Sequence, residues 1–65
     1  MGFNKGDIVA YKDITRKDEF IVVMPFKDGT VRIKEDRFQS RSYYEFSSKL
    51  VLASNKKMIL VLEQL

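Results

Sequence analysis

The apolar residues of this chain fall in short runs that alternate with polar, charged segments. Runs that are rich in β-branched and aromatic residues favour strands, and about five residues is a usual strand length. This pattern predicts strands at residues 8–12, 19–24, 30–34, 43–46 and 50–53. Residues 13–18 and 35–42 are polar enough to form surface loops, and residues 47–49 are predicted to form a tight turn or one turn of 3₁₀ helix.

A β-hairpin is predicted where Asp28 and Gly29 separate two apolar runs. Asp-Gly is a preferred pair for a type I′ turn, in which both residues have positive φ. Such a turn would join residues 21–26 to residues 30–34. In the second arm, apolar and polar residues alternate, so we expect one face of this strand to be directed toward the core.

The last apolar run, at residues 58–62, is compatible with two structures. Its β-branched residues favour a strand, whereas the sequence from Leu62 to Leu65 has helical propensity. We expect residues 54–57 to form a turn and the apolar run to form a final strand. A short helix is the alternative for residues 54–65.

Five or six short strands separated by turns are typical of a small β-barrel or β-sandwich. A chain of 65 residues forms a single domain, and its hydrophobic fraction of 45% is that of a folded protein. The sequence therefore predicts one all-β domain over residues 1–65. Its predicted core consists of Phe20, Ile21, Val23, Val31, Ile33, Phe46 and Leu50.

The chain contains no cysteine and no histidine. It therefore lacks thiolate ligands and disulfides, as well as the side chain that most often serves as metal ligand and general base near neutral pH. Adjacent carboxylates such as Glu35 and Asp36 lie among basic residues, and we expect them to be solvated. These features predict a protein without catalytic activity, metal or cofactor.

The sequence predicts no contact with a membrane. Residues 1–6 lack the apolar core of a signal peptide, and the longest apolar run is far shorter than the roughly 20 residues that a spanning helix needs. We expect a cytoplasmic location.

Two segments of the chain resemble parts of SH3-like barrels of the KOW and Tudor kind. Residues 6–9 (Gly-Asp-Ile-Val), which follow a lysine, resemble the opening strand of these barrels. Residues 46–52 resemble their closing segment, in which a short turn separates the last two strands. Small bacterial and phage proteins share this shape. The resemblance covers residues 5–53 and implies a single SH3-like barrel of five or six short antiparallel strands that acts by binding.

Basic residues interleaved with aromatic residues form the leading candidate site. Cations neutralise phosphates and aromatic rings stack on bases, so this combination favours nucleic acid or a nucleoprotein complex as the partner. The net charge of +3 is compatible with an anionic partner. The candidate residues are Lys12, Arg16, Lys17, Arg32, Lys34, Arg37, Phe38, Arg41 and Tyr44. An ordinary mixed-charge surface is the alternative, because acidic residues lie between them.

The apolar C-terminal segment is the candidate for a second function. In a strand, about half of its side chains would lie outside the barrel and form an edge prone to pairing unless it were covered. The alternative function is therefore a protein-interaction module, such as a phage-encoded modulator of a host protein. The candidate interface residues are Met58, Leu60, Leu62 and Leu65. A monomer and a homodimer are both compatible with the sequence.

Overall fold

A computed structural model describes residues 2–35 and 41–63 of the chain. It contains five strands, one turn of 3₁₀ helix and one α-helix. In chain order these are β1 (Ile8–Tyr11), β2 (Glu19–Pro25), β3 (Thr30–Lys34), β4 (Tyr43–Phe46), the 3₁₀ turn (Ser47–Lys49), β5 (Leu50–Leu52) and α1 (Ala53–Glu63). The five predicted strands and the predicted 3₁₀ turn are confirmed.

The strands form one antiparallel sheet with the order β4-β3-β2-β1-β5. Within the described residues, β4 and β5 are the two edges of this sheet and do not pair with each other. The prediction of a barrel is therefore wrong in one respect, since the sheet of the described residues is open, and the all-β class holds only roughly because one short helix follows the sheet. The coarser prediction of a small antiparallel β fold is confirmed.

The C-terminal segment forms helix α1, so the preferred prediction of a turn at 54–57 and a final strand is wrong, and the alternative of a short helix is confirmed. Ala53, Lys56 and Leu60 are spaced three and four residues apart, and this spacing places them on one side of a helix. Ala53 and Lys56 are buried, and Leu60 is half-buried. Good helix formers and this packed side outweigh the strand propensity of Ile59 and Val61.

The β2–β3 hairpin is confirmed, but its turn is not type I′. Gly29 has a φ of +88°, whereas Asp28 does not have a positive φ. The Phe26 N–H donates to the Thr30 carbonyl at 3.0 Å, which closes a three-residue loop with a left-handed glycine at its end. Asp28 Oδ1 accepts bonds from the N–H and hydroxyl of Thr30, and these two bonds hold the pKa of Asp28 below its usual range. These bonds from Thr30 to the Asp28 side chain favour the observed three-residue loop over the two-residue loop of a type I′ turn.

The core lies on one face of the sheet. Its buried members are Val9, Phe20, Val22, Val31, Ile33 and Leu50. Four residues of the predicted core are confirmed, namely Phe20, Val31, Ile33 and Leu50. Ile21 and Val23 are half-buried, and the prediction that Phe46 is a core residue is wrong because its side chain is 57% exposed. The error has a simple cause, since Phe46 lies opposite Thr30 on the face of the sheet that is turned away from the core.

The sheet is strongly curved toward its core face. Its six buried core residues are each no more than 4% exposed, although the described residues contain no second sheet to cover that face. Across the same face the Tyr11 hydroxyl on β1 donates a 2.6 Å hydrogen bond to Glu45 Oε2 on β4. The curvature encloses the core although the two edge strands remain unpaired with each other.

Helix α1 packs beside β1 and β5 on the other face of the sheet, where Ala10 lies next to Ala53. The buried Lys56 side chain continues past this contact to the β1–β2 loop. Its Nζ donates hydrogen bonds to the carbonyls of Asp13, at 3.0 Å, and Arg16. Among the described residues, no helix has the length and apolar character needed to cross a membrane.

Candidate nucleic-acid interface

The outer face of β2, β3 and β4 carries a group of aromatic, apolar and cationic side chains. The strand register places Met24 opposite Arg32, and Arg32 opposite Tyr44, so these three residues form a row across the sheet. Phe46 lies two residues beyond Tyr44, opposite Thr30. We call the surface formed by Met24, Phe26, Arg32, Tyr44 and Phe46 the aromatic face.

The apolar members of the aromatic face are accessible to solvent. Tyr44 is 68% exposed, Phe46 57%, Met24 51% and Phe26 36%. Single exposed apolar residues are normal on a protein surface, but a contiguous group of large ones marks a binding surface. Its location on three neighbouring strands makes this a rigid platform.

The side chains of the aromatic face contact one another. The ring centroids of Phe26 and Tyr44 are 5.6 Å apart, and their planes are inclined by 30°. The Arg32 guanidinium carbon is 5.5 Å from the Tyr44 centroid, and Lys49 Nζ is 5.7 Å from the Phe46 centroid. Both distances fall within the range of cation–π attraction. Each of the two most exposed rings therefore has a cation beside it.

A small cleft of about 120 Å³ opens between Tyr44 and Phe46. Its walls are these two residues, and Thr30 and Glu45 complete its lining. The Thr30 hydroxyl already donates a 2.6 Å bond to Asp28 Oδ1, so its oxygen retains only acceptor capacity toward a ligand.

The structure brings together part of the predicted nucleic-acid site. Arg32 and Tyr44 are neighbours on the aromatic face. Lys34 lies two residues from Arg32 on the same side of β3 and is half-buried opposite Ile21. Arg41 is exposed just before β4. Arg37 and Phe38 lie outside the described residues.

The other predicted cations belong to a different surface. Arg16 lies 3.9 Å over the ring of Tyr11 and forms a 3.5 Å ion pair with Asp18. Tyr11 packs against the core face of the sheet, so Arg16 and Arg32 are on opposite sides of it. Lys12 borders the groove beside Tyr11, and Lys17 borders another groove beside α1. The single surface expected from the sequence is therefore divided among the aromatic face, the groove beside Tyr11 and the groove beside α1.

The Tyr11–Glu45 hydrogen bond shifts the pKa values of both residues in the groove that Arg16 borders. The bond from Tyr11 holds the pKa of Glu45 below its usual value, and the Phe46 N–H and nearby Lys49 add to this effect. Burial, together with the bond to Glu45, raises the pKa of Tyr11. At neutral pH the pair is therefore a phenol that donates to a carboxylate.

Several residues of the aromatic face were missing from the sequence-based prediction. Met24 and Phe26 were not candidates, and Phe46 was predicted to be buried. Lys49, which lies beside the aromatic face, was not a candidate either. The alternation of β4 contained the signal for Phe46, because residues 44 and 46 must share a face of the strand. Lys49 had no such signal, since only the 3₁₀ turn brings its ammonium group to the Phe46 ring.

The described residues of the predicted partner interface lie on helix α1 and not on a strand. Met58 and Leu62 are 64% and 62% exposed, and Val61 is 60% exposed beside them. Leu60 is half-buried and lines the groove between α1 and the β1–β2 loop. Leu65 lies outside the described residues. We call Met58, Val61 and Leu62 the apolar stripe of α1.

The chain matches no protein-family model, no curated protein sequence and no solved structure. Within residues 2–35 and 41–63, no three acidic side chains are grouped in a way that could hold a metal ion. We therefore infer a function from the geometry of the chain's own residues.

Proposed function

We propose that this protein is a non-catalytic binding protein that contacts nucleic acid through its aromatic face. The observation that carries the proposal is the position of Arg32 beside the exposed ring of Tyr44, with Phe26 and Phe46 on the same face. Exposed rings offer stacking surfaces to bases, and neighbouring cations offer contacts to phosphates.

The chemistry of the aromatic face supports a nucleic acid more than an apolar protein partner. An interface for an apolar surface would gain little from Arg32 and Lys49 beside its rings, because their charges would have to be desolvated. Phosphates instead compensate these charges, and release of counterions adds to the affinity. Lys34 provides a further cation on the same side of β3.

We also propose that the fold is related to SH3-like barrels. The 3₁₀ turn Ser47–Lys49 between β4 and β5 supports this relation, because a short turn between the last two strands was the basis of the resemblance. The strong curvature of the sheet supports it as well. A cytoplasmic location and a phage origin remain predictions from the sequence.

A protein-interaction module is the second candidate function, and the apolar stripe of α1 supports it. Three large apolar side chains, each at least 60% exposed, are adjacent on one helix. Burying such side chains against a partner is favourable by about 1.5–3 kcal/mol each when burial is complete. This function would use a surface separate from the aromatic face.

The proposed function is tested by fluorescence anisotropy with labelled single-stranded RNA and labelled duplex DNA at two salt concentrations. We expect binding that weakens steeply with salt. The double variant Arg32→Glu, Lys34→Glu should weaken it tenfold or more and reduce the log–log salt slope by about 1.4–1.8, since each phosphate contact contributes about 0.7–0.9.

The matched control is Lys17→Glu, Lys57→Glu, which changes the net charge equally beside α1. It should retain most of the affinity, because only the long-range attraction is altered. If this control lost binding while the Arg32 and Lys34 variant retained it, the nucleic acid would lie along the α1 side. Absence of binding at tens of micromolar protein would reject the proposed function.

A further inference from the structure

The cleft between Tyr44 and Phe46 has the dimensions of a site for one flat ring. Residues two apart in an antiparallel strand are separated by about 6.8 Å, twice the rise of about 3.4 Å per residue. Successive stacked bases are about 3.4 Å apart along one strand of a duplex. The backbone positions of Tyr44 and Phe46 are therefore spaced as two stacking partners with one planar ring between them.

The cleft has a volume of about 120 Å³ and opens to solvent, and its lining is mainly the apolar surface of Tyr44 and Phe46. A flat aromatic group fits such a lining, whereas a charged sugar–phosphate is better solvated outside it. A sugar and its phosphates would therefore remain outside the cleft, near the surface of the sheet.

A cation lies beside each wall of the cleft. Arg32 is 5.5 Å from the Tyr44 centroid, and Lys49 is 5.7 Å from the Phe46 centroid. In a polynucleotide one phosphate precedes each nucleoside and another follows it. Arg32 is thus placed to contact one of the two phosphates that flank an inserted base. Lys49 would contact the other by exchanging its 3.8 Å ion pair with Glu45 Oε1 for the phosphate.

We propose that the cleft binds one unpaired base of a single strand, stacked between Tyr44 and Phe46, while Arg32 and Lys49 contact the flanking phosphates. The inference rests on the proposed function and specifies its ligand. Paired bases are held in the duplex stack, and removing one from it costs free energy. The site therefore favours single strands over duplexes.

The first test measures binding of a labelled twelve-nucleotide oligothymidylate and of a twelve-base-pair duplex to the full chain. We expect the single strand to bind at least tenfold more tightly. Tyr44→Ala and Phe46→Ala should each weaken its binding by about 5- to 150-fold, which is the range for loss of one base–aromatic stacking contact. Tyr44→Phe should retain the affinity within about twofold, because the ring is kept.

Met58→Ala is the matched control, because Met58 is equally exposed but lies on α1. It should not change the affinity for the oligothymidylate. Circular dichroism of every variant shows whether the fold is retained, and we expect it to be, because both rings are mostly exposed. If an alanine variant failed to fold, Tyr44→Leu and Phe46→Leu would remove stacking while keeping apolar volume.

The outcomes separate this inference from the proposed function. If the alanine variants bind as tightly as the unmodified chain while charge reversal at Arg32 and Lys34 weakens binding, stacking in the cleft is wrong and the proposed function is retained. Equal affinity for duplex and single strand also overturns the inference alone. Tighter binding of a tyrosine-containing peptide than of the oligonucleotide would assign the cleft to a protein side chain. Absence of binding to either nucleic acid overturns both proposals.

Discussion

The hydroxyl of Tyr11 and the carboxylate of Glu45 connect β1 with β4 over the core, at a distance of 2.6 Å. The bond from Tyr11 lowers the pKa of Glu45 from its ordinary value of 4.5. A lowered pKa in the folded state stabilises the fold above that ordinary value, and this contribution is lost as the pH falls through the lowered pKa. Burial and the same bond raise the pKa of Tyr11 from 10.0, so its contribution is present below pH 10 and is lost as the pH rises through the raised pKa.

We predict that Tyr11→Phe lowers the free energy of unfolding by about 1–2 kcal/mol at pH 7, because Glu45 loses a charge-assisted hydrogen bond. Urea denaturation measures the difference from the unmodified chain. This difference should be constant above the ordinary Glu45 pKa of 4.5 and should decrease as the pH falls through the lowered pKa, because a protonated Glu45 no longer accepts a charge-assisted bond. A difference that is independent of pH would show that packing of the ring, and not the bond to the carboxylate, accounts for the loss.

The residues of the candidate site were only partly predictable at this scale. Alternation along β3 and β4 places Arg32 and Tyr44 outside once Val31 and Ile33 are known to be inside. The sequence could not separate Arg16 from them, because Arg16 lies in a loop that has no period. Its position over Tyr11 depends on the path of that loop and on the ion pair with Asp18.

At the scale of elements, helix α1 is attached to the β1–β2 loop by one buried lysine. Lys56 is 8% exposed, and its ammonium group donates to the carbonyls of Asp13 and Arg16. Its aliphatic part lies beside Ala10 and Ala53 in the groove between the helix and the sheet. The charge is thus accommodated by backbone acceptors, as a buried charge requires.

We predict that Lys56→Met lowers the free energy of unfolding by about 2–4 kcal/mol, because two loop carbonyls lose their donor in a partly buried site. Methionine retains most of the apolar contact, so the loss reports the hydrogen bonds. The control is Lys57→Met, which removes only an exposed 3.7 Å ion pair with Glu19 and should change stability by less than about 0.5 kcal/mol. Equal effects of the two substitutions in urea denaturation would contradict the assigned role of Lys56.

The helix itself was the element that local sequence predicted least well. Residues 58–62 are apolar at every position, so they show neither a period of two nor a period of 3.6. The helix contacts β1 and β5, and its buried Ala53 and Lys56 line one groove with Ala10 of β1. Such a contact between distant parts of the chain has no local signal.

For the whole molecule, the aromatic face and the apolar stripe of α1 are two separate exposed surfaces. The aromatic face is formed by β2, β3 and β4, whereas α1 contacts β1 and β5 near the opposite edge of the sheet. Substitutions at well-separated sites usually have independent effects. The two candidate functions can therefore be tested separately on the same folded chain.

We predict that Val61→Lys, Leu62→Lys changes the free energy of unfolding by less than about 0.5 kcal/mol, because both side chains are already exposed. If the apolar stripe is an interface, the same variant should lose self-association in sedimentation equilibrium or lose capture of a protein partner. Nucleic-acid binding should be lowered in neither case. A clear loss of stability would instead show that the stripe contributes to the packing of a single chain.

The amino-acid sequence by itself determined the strands, the position of the hairpin and most of the buried positions, because these depend on local alternation and on turn residues. Tertiary structure decided what local patterns leave open. It placed the C-terminal helix against β1 and β5, with Lys56 bonded to the β1–β2 loop, and within the described residues it left β4 and β5 unpaired with each other. It also separated Arg16 from Arg32 and brought Lys49 to Phe46, because contacts between distant residues depend on the path of the whole chain.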